Sequence, residues 1–212
     1  MSASTWITFL IASIILCVSP GPGALSSMSS GMRYGWARGM WNVLGMQTAT
    51  TVNITIIALG LGAILVSSTT AFEILKWCGV LYLVYLGIMK WRETPLAFDA
   101  RVAANTAPGD GAAWGIFTTG FLVNLTNPKG LIFLLAVLPQ FIDPAKPQAL
   151  QYVILTATLV SVDLIVMGCY TGLAAKVLRL LKDPRHIRWT NRFLGSLFVG
   201  AGAALAAFKR AG

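Results

Sequence analysis

Asn127-Pro128-Lys129-Gly130 interrupts an otherwise apolar stretch running from Ala113 to Ile142, at about the depth where a membrane span would cross the bilayer centre. An earlier apolar stretch, Trp6 to Met32, is interrupted the same way by Ser19-Pro20-Gly21-Pro22-Gly23. Proline removes a backbone donor and clashes with the preceding turn, so each interruption exposes carbonyls and amides that lipid cannot satisfy. Such breaks persist where they line a polar cavity. A matched pair in the two halves of a chain is the best sequence pointer to a carrier's binding site.

The rest of the composition agrees with a membrane setting. Of the 212 residues, 56% are hydrophobic and only 11% are charged, with a mean hydropathy of +0.73. Soluble domains carry about 25% charged residues, and a soluble core has no need of several consecutive apolar runs of about 20 residues. The sequence therefore predicts an all-α integral membrane protein. The net charge of +9 has a plain reading there, because Lys and Arg collect in cytoplasmic loops. No basic run interleaved with aromatics points to nucleic acid. Cys17, Cys78 and Cys169 lie in apolar segments without a CxxC spacing and read as small buried residues rather than a disulfide framework or a metal site. The first five residues carry no Lys or Arg, so the first apolar segment reads as a retained span.

Apolar length gives six spans: 6–32 (broken), 41–66, 72–91, 113–142 (broken), 150–173 and 191–208. One transmembrane domain over residues 1–212 accounts for them, with halves of about 1–91 and 113–208 joined by a polar linker over 92–112. The loops after spans one, three and five hold Arg33, Arg38, Lys90, Arg92, Arg101, Lys176, Arg179, Lys182, Arg185, Arg188 and Arg192, against Lys76, Lys146, Lys209 and Arg210 on the other side. That bias places the first set in the cytoplasm and both termini outside. A weak internal repeat relates the halves: Pro20 recurs as Pro128, Gly79-Val80-Leu81-Tyr82 as Gly195-Ser196-Leu197-Phe198, and polar Asn53 as Asp163. Three spans per half is an odd number, so the halves are inverted, the usual plan of an alternating-access carrier.

Asp163 sits near the middle of span five, within Val160-Ser161-Val162-Asp163-Leu164-Ile165-Val166. A carboxylate at the centre of a span costs roughly 2.5–3.5 kcal/mol, so it faces a cavity or a partner. It can bind a substrate ammonium or carry a proton, or it can lock helices together structurally. Lys129 poses the same choice with opposite sign: it can hold a substrate carboxylate, pair with Asp163, or extend its stem to the interface. Asn127 and Pro128 are expected to end one half-helix, with Lys129 and Gly130 beginning the next. The amides at a half-helix N-terminus suit a carboxylate or lactone oxygen, and Pro20, Gly21, Pro22 and Gly23 offer the equivalent from the other half. Gln47, Thr48, Thr50, Thr51 and Asn53 make span two unusually polar. We assign Gln47 and Asn53 to a path and the threonines to interhelical hydrogen bonds of about 0.6 kcal/mol each. Tyr82 and Tyr85 belong to the interface belt by default but lie within reach of a substrate. Gly168-Cys169-Tyr170-Thr171-Gly172 and Gly111-Ala112-Ala113-Trp114-Gly115 permit close helix approach. A homodimer is compatible with such patterns, which are too common to define one.

No GxxxxGK[ST] loop, histidine cluster or Ser/His pair at membrane depth occurs. An ATPase, a metal site and an intramembrane hydrolase are therefore not expected, and energy is expected from an ion gradient without a cofactor.

Val18-Ser19-Pro20-Gly21-Pro22-Gly23, Gly79-Val80-Leu81-Tyr82-Leu83-Val84-Tyr85-Leu86-Gly87, Asn124-Leu125-Thr126-Asn127-Pro128-Lys129 and Leu138-Pro139-Gln140-Phe141-Ile142 occur in this order. Together they resemble the LysE/RhtB family of bacterial amino-acid exporters, from about residue 5 to 208. Gly45-Met46-Gln47-Thr48, Gln151-Tyr152-Val153-Ile154-Leu155 and Val162-Asp163-Leu164-Ile165-Val166-Met167 are most similar to its homoserine and homoserine lactone branch. The resemblance implies efflux of small neutral amino acids or their lactones (homoserine, homoserine lactone, threonine) across the bacterial inner membrane in exchange for protons. Many members carry a Gly-Asp pair in span two where this sequence has Ala49-Thr50, which leaves Asp163 as the one acid well inside a span. A membrane thiol–disulfide electron carrier would need a cysteine in span four to meet Cys17, and span four has none. A passive channel or a non-transporting membrane subunit stays open, since half-helices also build pores.

Overall fold

The computed structural model describes residues 1–67, 69–92, 112–143, 145–174 and 184–207. Its helices are α1 (Ala3–Val18), α2 (Pro22–Ser67), α3 (Thr69–Arg92), α4 (Ala113–Leu125), α5 (Pro128–Ala136), a 3-10 turn (Leu138–Phe141), α6 (Gln148–Gly172) and α7 (Pro184–Ala207). No strand occurs among the described residues. The predicted linker, apart from Arg92 and Ala112, lies outside them, as do Arg101, Lys176, Arg179, Lys182, Lys209 and Arg210.

The bundle is apolar outside, and its interior holds buried polar side chains beside two apolar clusters. Ile11, Ile56, Leu59, Ile74, Leu81, Leu150, Val153 and Ile165 point outward, whereas Ser26, Ser27, Ser29, Ser30, Asn42, Gln47 and Asn53 are buried. An apolar outer surface of this extent suits lipid, where the hydrophobic effect no longer holds helices together and close packing with interhelical hydrogen bonds must do so. Glycines allow that packing. A Cβ on Gly45 would overlap the Phe117 carbonyl and one on Gly120 would overlap that of Asn42, so α2 and α4 touch backbone to backbone. Gly31 meets Thr171 of α6, and Gly87 of α3 meets Gly195 of α7.

A loop is expected between spans one and two. The structure has a one-residue hinge instead: α2 is two limbs, 22–34 and 36–67, with only Gly35 out of helical geometry (φ 76°, ψ 170°). Glycine alone enters this left-handed region without a Cβ penalty. The limbs fold back on each other, with Asn42 Nδ2 donating to Ser26 Oγ at 3.0 Å and Ser27 Oγ 3.6 Å from Met46 Sδ.

By length and apolar content alone, two described segments suffice to cross a membrane, Pro22–Gly60 and Gln148–Gly172, and the bent pair α4–α5 with its 3-10 turn makes a third. The first of these turns back at Gly35, so its second limb is the crossing part. α3 and α7 have 24 residues each, about 36 Å of helix. Their apolar content is diluted by Glu73 and Lys76 in one and by Arg185, Arg188 and Arg192 in the other.

The cysteines depart from expectation. Cys17 is buried, but Cys78 and Cys169 are exposed on outer helix faces. Of the predicted interhelical threonines, Thr48 and Thr51 instead donate to Leu44 O and Gln47 O within their own helix, a partner always in reach one turn back.

Gln151 braces the turn before α6: Asp143 N donates to its Oε1 (2.8 Å) and its Nε2 donates to Asp143 O (2.9 Å). Lys146 hydrogen-bonds the Asp143 carboxylate and Ala145 N donates to it, which holds Asp143 below the usual carboxylate range. A depressed value stabilises the turn above the ordinary carboxylate pKa, and the contribution is lost as pH falls through the folded value. Faster amide exchange at Ala145, whose N–H donates to Asp143 Oδ1 at 3.0 Å, is expected below about pH 4. A flat corrected exchange rate through that range would contradict it.

Candidate functional site

The first break ends α1 at Val18. Ser19 is extended (φ −70°, ψ 112°), and α2 begins with Pro22. A helix end inside a membrane leaves carbonyls that need donors, and they come from three other helices. Lys129 Nζ donates to Leu16 O (2.9 Å) and Ser19 O (2.6 Å), Tyr170 Oη to Val18 O (2.8 Å), and Lys90 Nζ to Pro20 O (3.4 Å). The Lys129 ammonium also lies 5.7 Å from the centre of the Phe198 ring. Rather than running out to the interface, it closes the end of α1. Cations are favoured there by the negative end of the helix dipole.

At the second break the chain bends by 52° between α4 and α5. The expected division is corrected here. Asn127 and Pro128 open the second half-helix instead of ending the first, which stops at Leu125. Asn127 is the N-cap, its side chain accepting from Lys129 N at 3.1 Å, and Pro128 is the first helical residue. Asn is favoured at an N-cap, and proline at the next position lacks only an N–H that would have had no helical partner.

The two breaks face each other across a cavity of about 70 Å³, room for on the order of five water molecules. Ser19, Gly21 and Gly23 of the first break and Asn127, Lys129 and Gly130 of the second line it, with Thr50 and Asn53 of α2, Asn124 of α4 and Asp163 of α6. The N-terminal ends of α2 and α5 thus both line one space, whose wall is completed by Leu16, Cys17, Met46, Leu134, Leu159 and Met167. Asn124 ties its wall together by donating to Met46 O (2.9 Å) and Thr50 Oγ1 (2.7 Å).

Opposite the helix ends, Gln47 Nε2 donates to Asp163 Oδ2 at 2.7 Å. That bond fixes the amide orientation and leaves Gln47 Oε1 buried without a donor; Ser19 Oγ on the cavity wall is also buried and unpartnered. Orphan buried polar atoms cost about 1–3 kcal/mol each. Gln47 Oε1 lies beside the Asp163 carboxylate, whereas Ser19 Oγ belongs to the first break, on the wall shared with the helix ends. The arrangement offers acceptors at one end and donors at the other, as a zwitterion requires.

Of the residues singled out from the sequence, Gly21, Asn53, Asn127, Lys129 and Asp163 line the cavity and Gln47 orients Asp163. Pro20, Pro22 and Pro128 make the breaks without forming the wall, and Pro22 and Pro128 are exposed. Tyr82 and Tyr85 pack on each other at 6.3 Å, away from the cavity. Sequence reasoning missed Asn124, Tyr170 and Lys90. Asn124 is legible as a second polar residue one turn before Asn127; the other two act only through tertiary contact.

Lys129→Met keeps the length of the stem but strips two carbonyls of a charged donor. A loss of about 1.5–3 kcal/mol is expected, the range for charge-assisted bonds, read as a lowered unfolding midpoint in detergent. An unchanged midpoint would remove Lys129 as the clasp of the two breaks.

Residues 14–208 match the family described as LysE type translocator. The chain is similar to a homoserine/homoserine lactone efflux protein of Salmonella typhimurium, 38% identical over 211 residues and covering all of both chains. It is similar to an uncharacterized membrane protein of Vibrio cholerae at 36% over 209 residues, covering 99% of this chain and 100% of the other. A leucine efflux protein of Enterobacter sp. is 27% identical over 203 residues, covering 94% and 93%. No solved structure matches.

Proposed function

The chain belongs to the LysE type translocator family, and from that premise we propose that it exports small neutral amino acids or their derivatives, homoserine and homoserine lactone first, across the bacterial inner membrane in exchange for protons. The observation that carries this reading is one cavity lined both by Asp163 and by the residues that open α2 and α5, with Gln47 behind it bound to Asp163 and its Oε1 unpartnered. A substrate ammonium meets Asp163 and Gln47 Oε1. Its carboxylate or lactone oxygen meets the amides that open α2 and α5, and the homoserine hydroxyl has Ser19 Oγ as partner. Asp163, released by the departing ammonium, takes the returning proton.

In this reading six spans form two inverted halves, about 1–91 and 113–208, that rock around the cavity in alternating access. The basic loops lie in the cytoplasm and both termini outside. The small cavity corresponds to a closed conformation, which must widen to admit a substrate larger than a few waters. Homoserine is favoured over leucine because the homoserine/homoserine lactone efflux protein is the more similar relative, 38% against 27% identical, and because a leucine side chain would leave Ser19 Oγ without a partner.

The test is ligand stabilisation. Homoserine at a hundred times its Kd should raise unfolding stability by about 2.7 kcal/mol, and Gln47→Met should remove most of that rise. The absence of a shift with homoserine, its lactone and leucine alike would overturn the reading.

A further inference from the structure

A second cavity, of about 340 Å³, lies between α1, α3, α5 and α7, lined by Thr8, Ile11, Ile15, Phe133, Gln140 and Phe198 among others. It is separate from the polar cavity, and its wall is almost wholly apolar. It opens sideways, at Ile11, whose side chain is 53% exposed on the outer face. Water is not expected to fill an apolar groove that opens toward hydrocarbon, so the material that fills it is the bilayer itself.

Thr8 and Ser196 in this wall donate to carbonyls of their own helices, which leaves Gln140 as the lining residue with an unpartnered polar atom. It is 3% exposed, its Oε1 has no donor, and its Nε2 reaches only Ala136 O at 3.5 Å, a weak bond that the amide can give up by turning. Gln140 sits in the 3-10 turn just before the polar Asp143–Lys146 turn. Phe141, its neighbour, packs against Phe9, in the N-terminal half of α1, at 5.1 Å between ring centres. The unpartnered acceptor therefore lies toward the end of the bundle that meets the aqueous interface, with Ile15 and Phe198 deeper in. A polar acceptor at the interfacial end of an apolar slot matches a lipid: head above, chain below.

We propose that this groove is a phospholipid site, holding one acyl chain along α1 and α7 while a hydrogen-bond donor of the lipid headgroup binds Gln140 Oε1. The bound lipid braces α7 and α3 against α1, in a groove that shares no lining residue with the first cavity. The site does not depend on the identity of the transported substrate.

The experiment is native mass spectrometry of the purified chain, loaded with palmitoyl-oleoyl phosphatidylethanolamine or with the phosphatidylcholine of the same chains. The two lipids share chains and net charge, but only the first has headgroup donors. The wild type is expected to retain one phosphatidylethanolamine about three- to tenfold better than phosphatidylcholine, the worth of one hydrogen bond. Gln140→Met should keep lipid binding and lose the preference. Gly200→Phe should lose both, because Gly200 lines the groove and a side chain there enters open space. Helical circular dichroism of both variants establishes that they are folded. Equal retention of the two lipids by wild type, or retention undisturbed by Gly200→Phe, would overturn the proposal. So would loss of a dimer, rather than of lipid, in Gly200→Phe, which would assign the groove to a second copy of the chain.

Discussion

Asp163→Asn is expected to abolish concentrative export while leaving the fold nearly intact. Asparagine has the same size, and its Oδ1 still accepts the bond that Gln47 Nε2 gives Asp163 at 2.7 Å, so the packing of α2 on α6 survives. What disappears is the charge. A bond from a substrate ammonium to a carboxylate is worth about 1.5–3 kcal/mol, so affinity should fall roughly 10- to 150-fold. In the proposed exchange, the group that takes the returning proton is lost with it. Asp163→Glu, which keeps the charge one methylene further out, should restore part of the coupling. Normal gradient-driven export by Asp163→Asn, in a variant shown to be folded, would sink the assignment.

Gly45→Leu is expected to be among the most destabilising single changes in the bundle. Its Cβ would enter the Phe117 carbonyl, and the reciprocal position, Gly120, is equally closed by the Asn42 carbonyl. Overpacking costs typically 1–3 kcal/mol where side chains can yield. Here the obstacle is backbone on both sides, so α2 and α4 must separate, and a loss above about 3 kcal/mol is expected. Separation also breaks the Asn124 bonds to Met46 O and Thr50 Oγ1 that hold one wall of the cavity. Unfolding midpoint and export should therefore fall together. Gly60→Leu is the control, because a Cβ there meets nothing within 4 Å and the glycine is exposed. Equal midpoints for the two variants would refute the close approach of α2 and α4.

The parts of the fold legible in sequence were those written in strong local chemistry. Proline and glycine inside apolar runs located both breaks to within a residue or two, since no other residues interrupt a helix so directly. A carboxylate in the middle of Val162-Asp163-Leu164 marked the cavity, because membranes tolerate such a residue only beside one. Less legible was the direction of a cap. Asn127-Pro128 reads equally well as an ending until the N-cap bond from Lys129 N is seen. The hinge at Gly35 stood among helix-forming residues and looked like an ordinary loop. Lys129 was recognised as unusual, but its partners, Leu16 O and Ser19 O, are more than 100 residues away, and no local pattern encodes a backbone carbonyl as a partner. The same holds for Tyr170 and Lys90. Buried serines in 22–34 were hidden inside a segment that scores as apolar overall, although their faces carry the contact between the two limbs of α2.

The central claim is that the space between the two breaks is a proton-coupled amino-acid site. The most direct test is uptake of labelled homoserine into inside-out membrane vesicles carrying this chain, with and without an imposed pH gradient. Accumulation is expected to require an acidic interior, to saturate with homoserine, and to be competed by homoserine lactone and threonine. Uptake that is indifferent to the gradient and unsaturable would contradict it, since that is the behaviour of a passive pore.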